Sequence, residues 1–239
     1  MIHQSYRVSS IRSDFIHNLE HKMFTVDKTG AKMIEMLGAT FLADEASIFG
    51  VPSEEYIKAE IDWYRGQSTN INDIYGPGRE PPAAWKYAAD AHGNINSNYG
   101  KLIFSNEYHN QYAKAVTELI RDPDTRRAEM IYTRPSIWTE FDENGMSDFI
   151  CTNAVTYYIR DSKLHAVVQM RSNDVVFGYK NDYAWQQYVM KSIIKDINDG
   201  TGPFLHSNIT LGDMIWQVQN LHVYSKHFHL IDPDNYSKP

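Results

Sequence analysis

Apolar and polar positions along this chain switch between two periods, and the switches mark its elements. Residues 33–49 (MIEMLGATFLADEASIF) alternate loosely, which predicts extended strand with a turn at Gly38. Pro52 and Ser53 open a helical pattern through Arg65, with Ser53 as N-cap. Tyr75-Gly76-Pro77-Gly78 and Pro81-Pro82 punctuate a loop, and a short helix is predicted over 83–91. An amphipathic helix over 106–121 closes at the turn Asp122-Pro123-Asp124. Three strand-like runs follow at 128–133, 150–160 and 165–170, and Asp161-Ser162-Lys163 predicts a tight hairpin between the last two. The most regular helix spans 182–198 and ends at Gly200-Thr201-Gly202-Pro203. Two more strands, 214–218 and 221–228, precede a polar, mobile tail after Asp232. With no repeat or low-complexity linker, the order predicts one α/β (α+β) domain over 1–239. Its late strands are joined by short turns, so its mixed sheet should be largely antiparallel.

Composition narrows the function. The aromatic share of 13%, with 16 Tyr and 5 Trp, offers flat surfaces, some of which could face a planar ligand. A net charge of −7 disfavours general nucleic-acid or anionic-membrane partners, which need a basic face. One cysteine points to a reducing compartment. The start, Met1-Ile2-His3-Gln4-Ser5-Tyr6-Arg7, lacks the apolar run of a signal peptide, and no window approaches the roughly 18 apolar residues of a membrane span. A cytoplasmic protein is expected, in the host cytoplasm if the chain is phage-encoded.

Cys151 cannot form an internal disulfide, so its value lies in packing or reactivity. A buried structural thiol is the commoner role. A nucleophile would need cations or donors beside it, which Arg171 and the pair Arg126-Arg127 could supply. That pair, between a turn and a strand, is placed to grip a phosphate, and Asp27-Lys28-Thr29-Gly30 could add a cation from a loop. Each of these is more often a plain polar surface, and the signal lies in their occurring together. Ten His show no HExxH and no CxxC framework, so no metal is expected. His227 and His229 share a face of a strand-like run and read as solvated. Neither GxGxxG nor a P-loop is present.

The ordered set Asp27-Lys28-Thr29-Gly30, Glu60-Ile61-Asp62-Trp63, Asn98-Tyr99-Gly100, Arg126-Arg127, Cys151, Arg171-Ser172-Asn173-Asp174-Val175 and Leu221-His222-Val223-Tyr224-Ser225 resembles the thymidylate synthase family. The likeness extends from about Val26 to Leu230. Within the family it is nearest the deoxycytidylate 5-hydroxymethylases of T-even bacteriophages, through Ile131-Tyr132-Thr133-Arg134-Pro135-Ser136, Gly145-Met146-Ser147-Asp148-Phe149 and the segment 171–185.

The resemblance implies a thymidylate synthase-like fold that dimerises through its sheet. It implies Cys151 as the nucleophile for pyrimidine C6, and Arg171 and Lys28 as phosphate ligands. Arg126 and Arg127 would reach the partner's phosphate, making the homodimer obligatory. His222 and Tyr224 would hold the deoxyribose 3′-hydroxyl, Glu60 would organise proton transfer and water, and Tyr99 would assist as acid–base. Trp85, Asp174 and Gly178 would lie on the folate side. The co-substrate implied is 5,10-methylenetetrahydrofolate.

Asp182 bears on the base. Synthases carry Asn there, which complements uracil. A carboxyl can accept from the cytosine 4-amino group and, if protonated, donate to N3; an Asp at the start of a helix is more commonly a cap. Ser172 tilts the sugar toward deoxyribose, since related CMP hydroxymethylases carry Ala. Thr152 stands where synthases have His after the nucleophile, and the C-terminus is short and polar where theirs is apolar. Both changes bear on how water is excluded. The expected reaction is hydroxymethylation of dCMP by methylenetetrahydrofolate and water. CMP hydroxymethylation, pyrimidine methylation with hydride transfer, and a non-enzymatic binding module are the alternatives.

Overall fold

The computed structural model describes residues 5–27, 30–200 and 208–236. In chain order the elements are α1 (Val8–Glu20), β1 (Thr25–Val26), β2 (Lys32–Leu42), α2 (Glu54–Gly66), α3 (Ala83–Ala88), α4 (Tyr99–Phe104), α5 (Gln111–Arg121), β3 (Glu129–Ile131), α6 (Ile137–Glu140), β4 (Thr152–Arg160), β5 (Lys163–Asp174), α7 (Gly178–Asp199), β6 (Thr210–Tyr224) and α8 (Pro233–Tyr236). The strands form one six-stranded sheet in the order β1-β2-β6-β5-β4-β3. No helix among the described residues is long and apolar enough to cross a membrane.

The turn chemistry expected at 161–163 is present. Asp161 and Ser162 take φ of 52° and 56°, the paired left-handed geometry that suits the twist of a two-residue hairpin, and Arg160 pairs with Lys163 across it. All pairs are antiparallel except β5 with β6. A parallel neighbour needs a crossover, and the 22-residue α7 supplies it. Its buried stripe of Trp185, Val189, Ile193 and Ile197 repeats every four residues, and the helix packs on the sheet.

Several sequence expectations need correction. Gly38 is not a turn: β2 runs through it in one register, from Met33↔Tyr224 to Leu42↔Ile215, because glycine takes φ of 71° without breaking the ladder. The strand ends at Leu42 rather than reaching 49. The two final strands are one, β6, whose polar middle is explained by Asn220 donating to Glu35 Oε2 at 2.6 Å on the neighbouring strand. Residues 225–230 form a 3₁₀ helix, so His227 and His229 share no strand face. α5 begins five residues later than expected, at an N-cap Asn110 in the left-handed region. α7 begins at Gly178, which puts Asp182 inside the helix and removes the capping role. The tail opens with the helical turn α8. Three helices gave no expectation: α1, which buries Val8, Ile11 and Phe15 at helical spacing, the six-residue α4 and the four-residue α6.

Asn98 fixes α4 against α2. Its Oδ1 accepts from Lys101 N at 2.8 Å, while its amide donates to the carbonyls of Trp63 and Ser68 at 3.2 and 2.7 Å. The next helical turn comes so close that a Cβ on Gly100 would stand 1.8 Å from the carbonyl oxygen of Tyr64. Only glycine permits that approach, and it places Tyr99 beside Tyr64 with ring centroids 5.4 Å apart. Gly100→Ala should therefore destabilise the fold by about 2–4 kcal/mol, since backbone cannot yield as a side chain would. A thermal melt should show Tm lowered by roughly 5–15 °C. An unchanged Tm would mean that α2 and α4 do not meet this closely.

Candidate active site

One cavity of about 560 Å³ opens between α2, α3 and α7 and the ends of β5 and β6. Cys151 reaches it from the residue before β4, held there because Arg171 N donates to the Cys151 carbonyl at 2.7 Å. The Arg171 guanidinium folds back on the same segment. Its Nη2 donates to Phe149 O at 2.9 Å and lies 3.7 Å from Cys151 Sγ, its Nε lies 3.4 Å from Ile150 O, and it stacks over the Phe149 ring. Burial pushes the Cys151 pKa up to about 12. The Arg171 charge pulls it down, and the Asp182 and Asp148 carboxyls add to the rise. Cys151 is therefore a thiol at neutral pH, with a cation beside it.

Two buried carboxyls line the same cavity. Glu60, on α2, accepts from Trp85 Nε1 at 3.2 Å and from the hydroxyl of Tyr56 one turn earlier. Burial raises its pKa to about 7 against these hydrogen bonds. Asp182, on α7, accepts from Asn173 Nδ2 at 2.7 Å. Burial raises it to about 8, the Glu60 charge adds to the rise, and the Asn173 bond opposes it. Both carboxyls therefore hold their protons to higher pH than a free carboxyl, Asp182 more so than Glu60. Above them, the Tyr99 phenol is raised well beyond its usual range by burial and then by Asp182 and Cys151, with Thr152 as hydrogen-bond partner. A third carboxyl, Asp148, accepts from Asn96 N, Ser97 N and Ser97 Oγ at 2.6 to 2.7 Å and ties the 96–98 loop to the Cys151 segment.

Ten of the residues expected from sequence line this cavity: Cys151, Glu60, Asp182, Tyr99, Arg171, Ser172, His222, Trp85, Asp174 and Gly178. Asp174 Oδ1 accepts from Val176 N and Phe177 N, which closes the turn into α7 and brings Gly178 to the wall. His222 lines the cavity, and its Nδ1 is buried with no hydrogen-bond partner among the described residues. Tyr224 lies two residues further along β6, outside the lining, with its ring 5.3 Å from that of His222. Arg126 and Arg127 are exposed and do not line the cavity, and Lys28 lies outside the described residues. Among the described residues no group of three or more His, Cys, Asp or Glu could hold a metal.

Sequence reasoning gave no role to Tyr56, Tyr64, Asp148 or Asn173. Tyr56 carried a usable signal, sitting four residues before Glu60 on a predicted helix. The others meet their partners only through the tertiary fold.

The thymidylate synthase family model matches residues 19–235. The deoxycytidylate 5-hydroxymethyltransferases of Enterobacteria phages T4, T2 and T6 are each 49% identical to the chain over 232 residues, covering 97% of it and 92% of their own length. The crystal structure of thymidylate synthase from T4 phage matches with a TM-score of 0.71 over 95% of this chain and 80% of that one; at 19% identity the likeness is one of fold. With a mixed six-stranded sheet carrying Cys151 and Arg171 at the mouth of one cavity, and a family match over nearly its whole length, the chain belongs to the thymidylate synthase family.

Proposed function

We propose that the chain is a deoxycytidylate 5-hydroxymethyltransferase, converting dCMP, 5,10-methylenetetrahydrofolate and water to 5-hydroxymethyl-dCMP and tetrahydrofolate. The observation that carries this reading is Asp182. A carboxyl with its pKa near 8 is neutral at pH 7, and a neutral carboxyl presents one acceptor and one donor, the complement of the cytosine edge. The 49% identity to the phage hydroxymethyltransferases supports the same substrate.

In this reading Cys151 Sγ adds to C6 while Asp182 delivers a proton to N3. The proton lost by sulfur is thus balanced by one gained on the base, and no free thiolate need persist in a site that resists it. Addition makes C5 nucleophilic. The folate co-substrate would supply the one-carbon unit that C5 accepts, and loss of the C5 proton together with departure of tetrahydrofolate from that carbon would leave an exocyclic methylene on the base. Glu60, held by Tyr56 and Trp85, is placed to orient the water that adds to that methylene. Expulsion of Cys151 then frees the product. Trp85, Asp174 and Gly178 form the folate side of the cavity, and Ser172 and His222 the sugar side, with Tyr224 beside them.

A homodimer fits this reading. Arg126 and Arg127 are exposed and away from their own cavity, positions from which they could serve a partner's phosphate site together with Arg171 and Lys28. The outer sheet face offers Leu37, 72% exposed, with Thr40, Gln169 and Gln219 for such a contact. The setting is the host cytoplasm during phage infection.

Mass spectrometry of the product from dCMP and methylenetetrahydrofolate should show a gain of CH2O with tetrahydrofolate released. A gain of CH2 with dihydrofolate would make the enzyme a methylase, and turnover of CMP or dUMP instead would overturn the substrate. Asp182→Asn should lower kcat/KM for dCMP by about 10²-fold or more and raise that for dUMP, because the amide inverts the hydrogen-bond edge; an unmoved preference would remove Asp182 from the base edge. The pH dependence carries its own signature. Asp182 must hold its proton, so kcat/KM falls as pH rises through about 8; Glu60 must be ionised, so it falls as pH drops through about 7. A narrow bell with those limbs is expected, and Glu60→Gln should erase the acid limb.

A further inference from the structure

Asp182 is not held alone. Its Oδ2 accepts from Asn173 Nδ2 at 2.7 Å, and Asn173 Oδ1 accepts from Trp216 Nε1 at 3.2 Å. An indole nitrogen can only donate, so the amide oxygen must face Trp216 and the NH2 must face Asp182. Both residues are buried, Asn173 at 3% exposure and Trp216 at 0%. The backbone of Gly178 closes on the same group: a Cβ built there would stand 3.0 Å from Asn173 Nδ2. The amide is fixed in one orientation by chemistry on one side and by packing on the other.

We propose that Asn173, oriented by Trp216, is a specificity-determining positioning residue that directs the Asp182 proton onto Oδ1 and so presents the complement of cytosine rather than of uracil. The proposal rests on the assignment of Asp182 to the base edge. An oxygen that already accepts an N–H bond is the poorer place for a proton, so Oδ2 stays bare. Its remaining lone pair can accept from the 4-amino group while Oδ1–H donates to N3. Uracil offers the reverse edge, N3–H and O4, and would need the proton on Oδ2. That tautomer would turn a weakly accepting hydroxyl oxygen toward the Asn173 donor. Asn173 thereby penalises the wrong base and does not merely add attraction for the right one.

The groups facing Asp182 are Glu60 and Tyr64 from α2, Tyr99 from α4, Tyr132 after β3, Cys151 before β4 and Asn173 from β5. Among the described residues only Asn173 donates a hydrogen bond to it. Removing that donor should strengthen the hold of Asp182 on its proton.

The test is calorimetric titration of dCMP and of dUMP, without folate, into wild type, Asn173→Ala and Trp216→Phe across a pH series, with thermal melts alongside. Asn173→Ala should reduce the preference for dCMP over dUMP by about tenfold and move upward the pH at which dCMP binding is lost. Trp216→Phe keeps Asn173 but frees its amide, and should reduce the preference in the same direction; it carries the test alone if Asn173→Ala does not fold. Equal weakening of both nucleotides, with preference and pH midpoint unmoved, would make Asn173 a packing residue and overturn the inference. A wild type that does not prefer dCMP would instead overturn the functional reading, before any variant is compared.

Discussion

Two carboxyls, Glu60 and Asp182, share one buried cavity, and the rest of the site is arranged around the fact that both cannot be charged there. Removing an ion from water costs several kcal/mol even after the protein relaxes, and a like-charged neighbour adds to it. The fold answers with unequal support. Glu60 has two donors, Tyr56 and Trp85, on Oε1, while Asp182 has the single amide of Asn173. The better-supported carboxyl is raised less than the other, so Glu60 gives up its proton before Asp182 does. The proposed reaction calls for one general base and one neutral acid at pH 7, and the same burial would supply both.

That arrangement opposes stability. A carboxyl whose pKa lies higher folded than unfolded favours the folded state fully only below its unfolded value, near 4, and that advantage is lost as pH rises through the folded value near 8. At neutral pH, then, Asp182 is a net burden, on the order of 4 kcal/mol. The offset comes from its setting. α7 and the sheet surround the pair with Tyr179, Trp185 and Trp216, all essentially buried, and each such side chain contributes about 2 kcal/mol or more. The single parallel pair in the sheet makes this possible, because its crossover is the helix that carries Asp182 over β5, where Asn173 waits.

Local chemistry was legible in the sequence wherever one short segment decides the outcome. The Asp161-Ser162 hairpin and the Ser53 cap are of this kind. Errors arose where distant residues decide. Gly38 reads as a turn until β6 pairs on both sides of it, and the polar middle of β6 reads as a break until Glu35 reaches Asn220. Asp182 reads as a cap because the turn of α7 that precedes it, 178–181, lacks apolar periodicity strong enough to announce itself. The catalytic set was visible only through family resemblance: nothing in spacing alone says that Cys151 and Arg171 meet, although adjacent antiparallel strands bring them to 3.7 Å. Asn173 and Asp148, which hydrogen-bond Asp182 and the 96–98 loop, carry no sequence signal of those contacts. Their hydrogen-bond partners lie across the fold, and a side-chain amide or carboxyl does not declare in sequence which way it will face.

Arg171 shows how the same geometry governs reactivity. Its Nε and Nη2 are committed to the carbonyls of Phe149 and Ile150 and to the edge of the sulfur, whereas Nη1 has no hydrogen-bond partner among the described residues. A phosphate bound at Nη1 would draw on the same positive charge that favours the Cys151 thiolate, and would weaken that pull at the moment the nucleotide arrives. Substrate binding therefore does not by itself make the thiolate. On the proposed assignment the sulfur reacts as its proton departs and another reaches N3, supplied by the protonated Asp182. On that proposal nucleophile and base recognition are coupled through one proton: a nucleotide that Asp182 could not protonate is one that Cys151 would have little drive to attack.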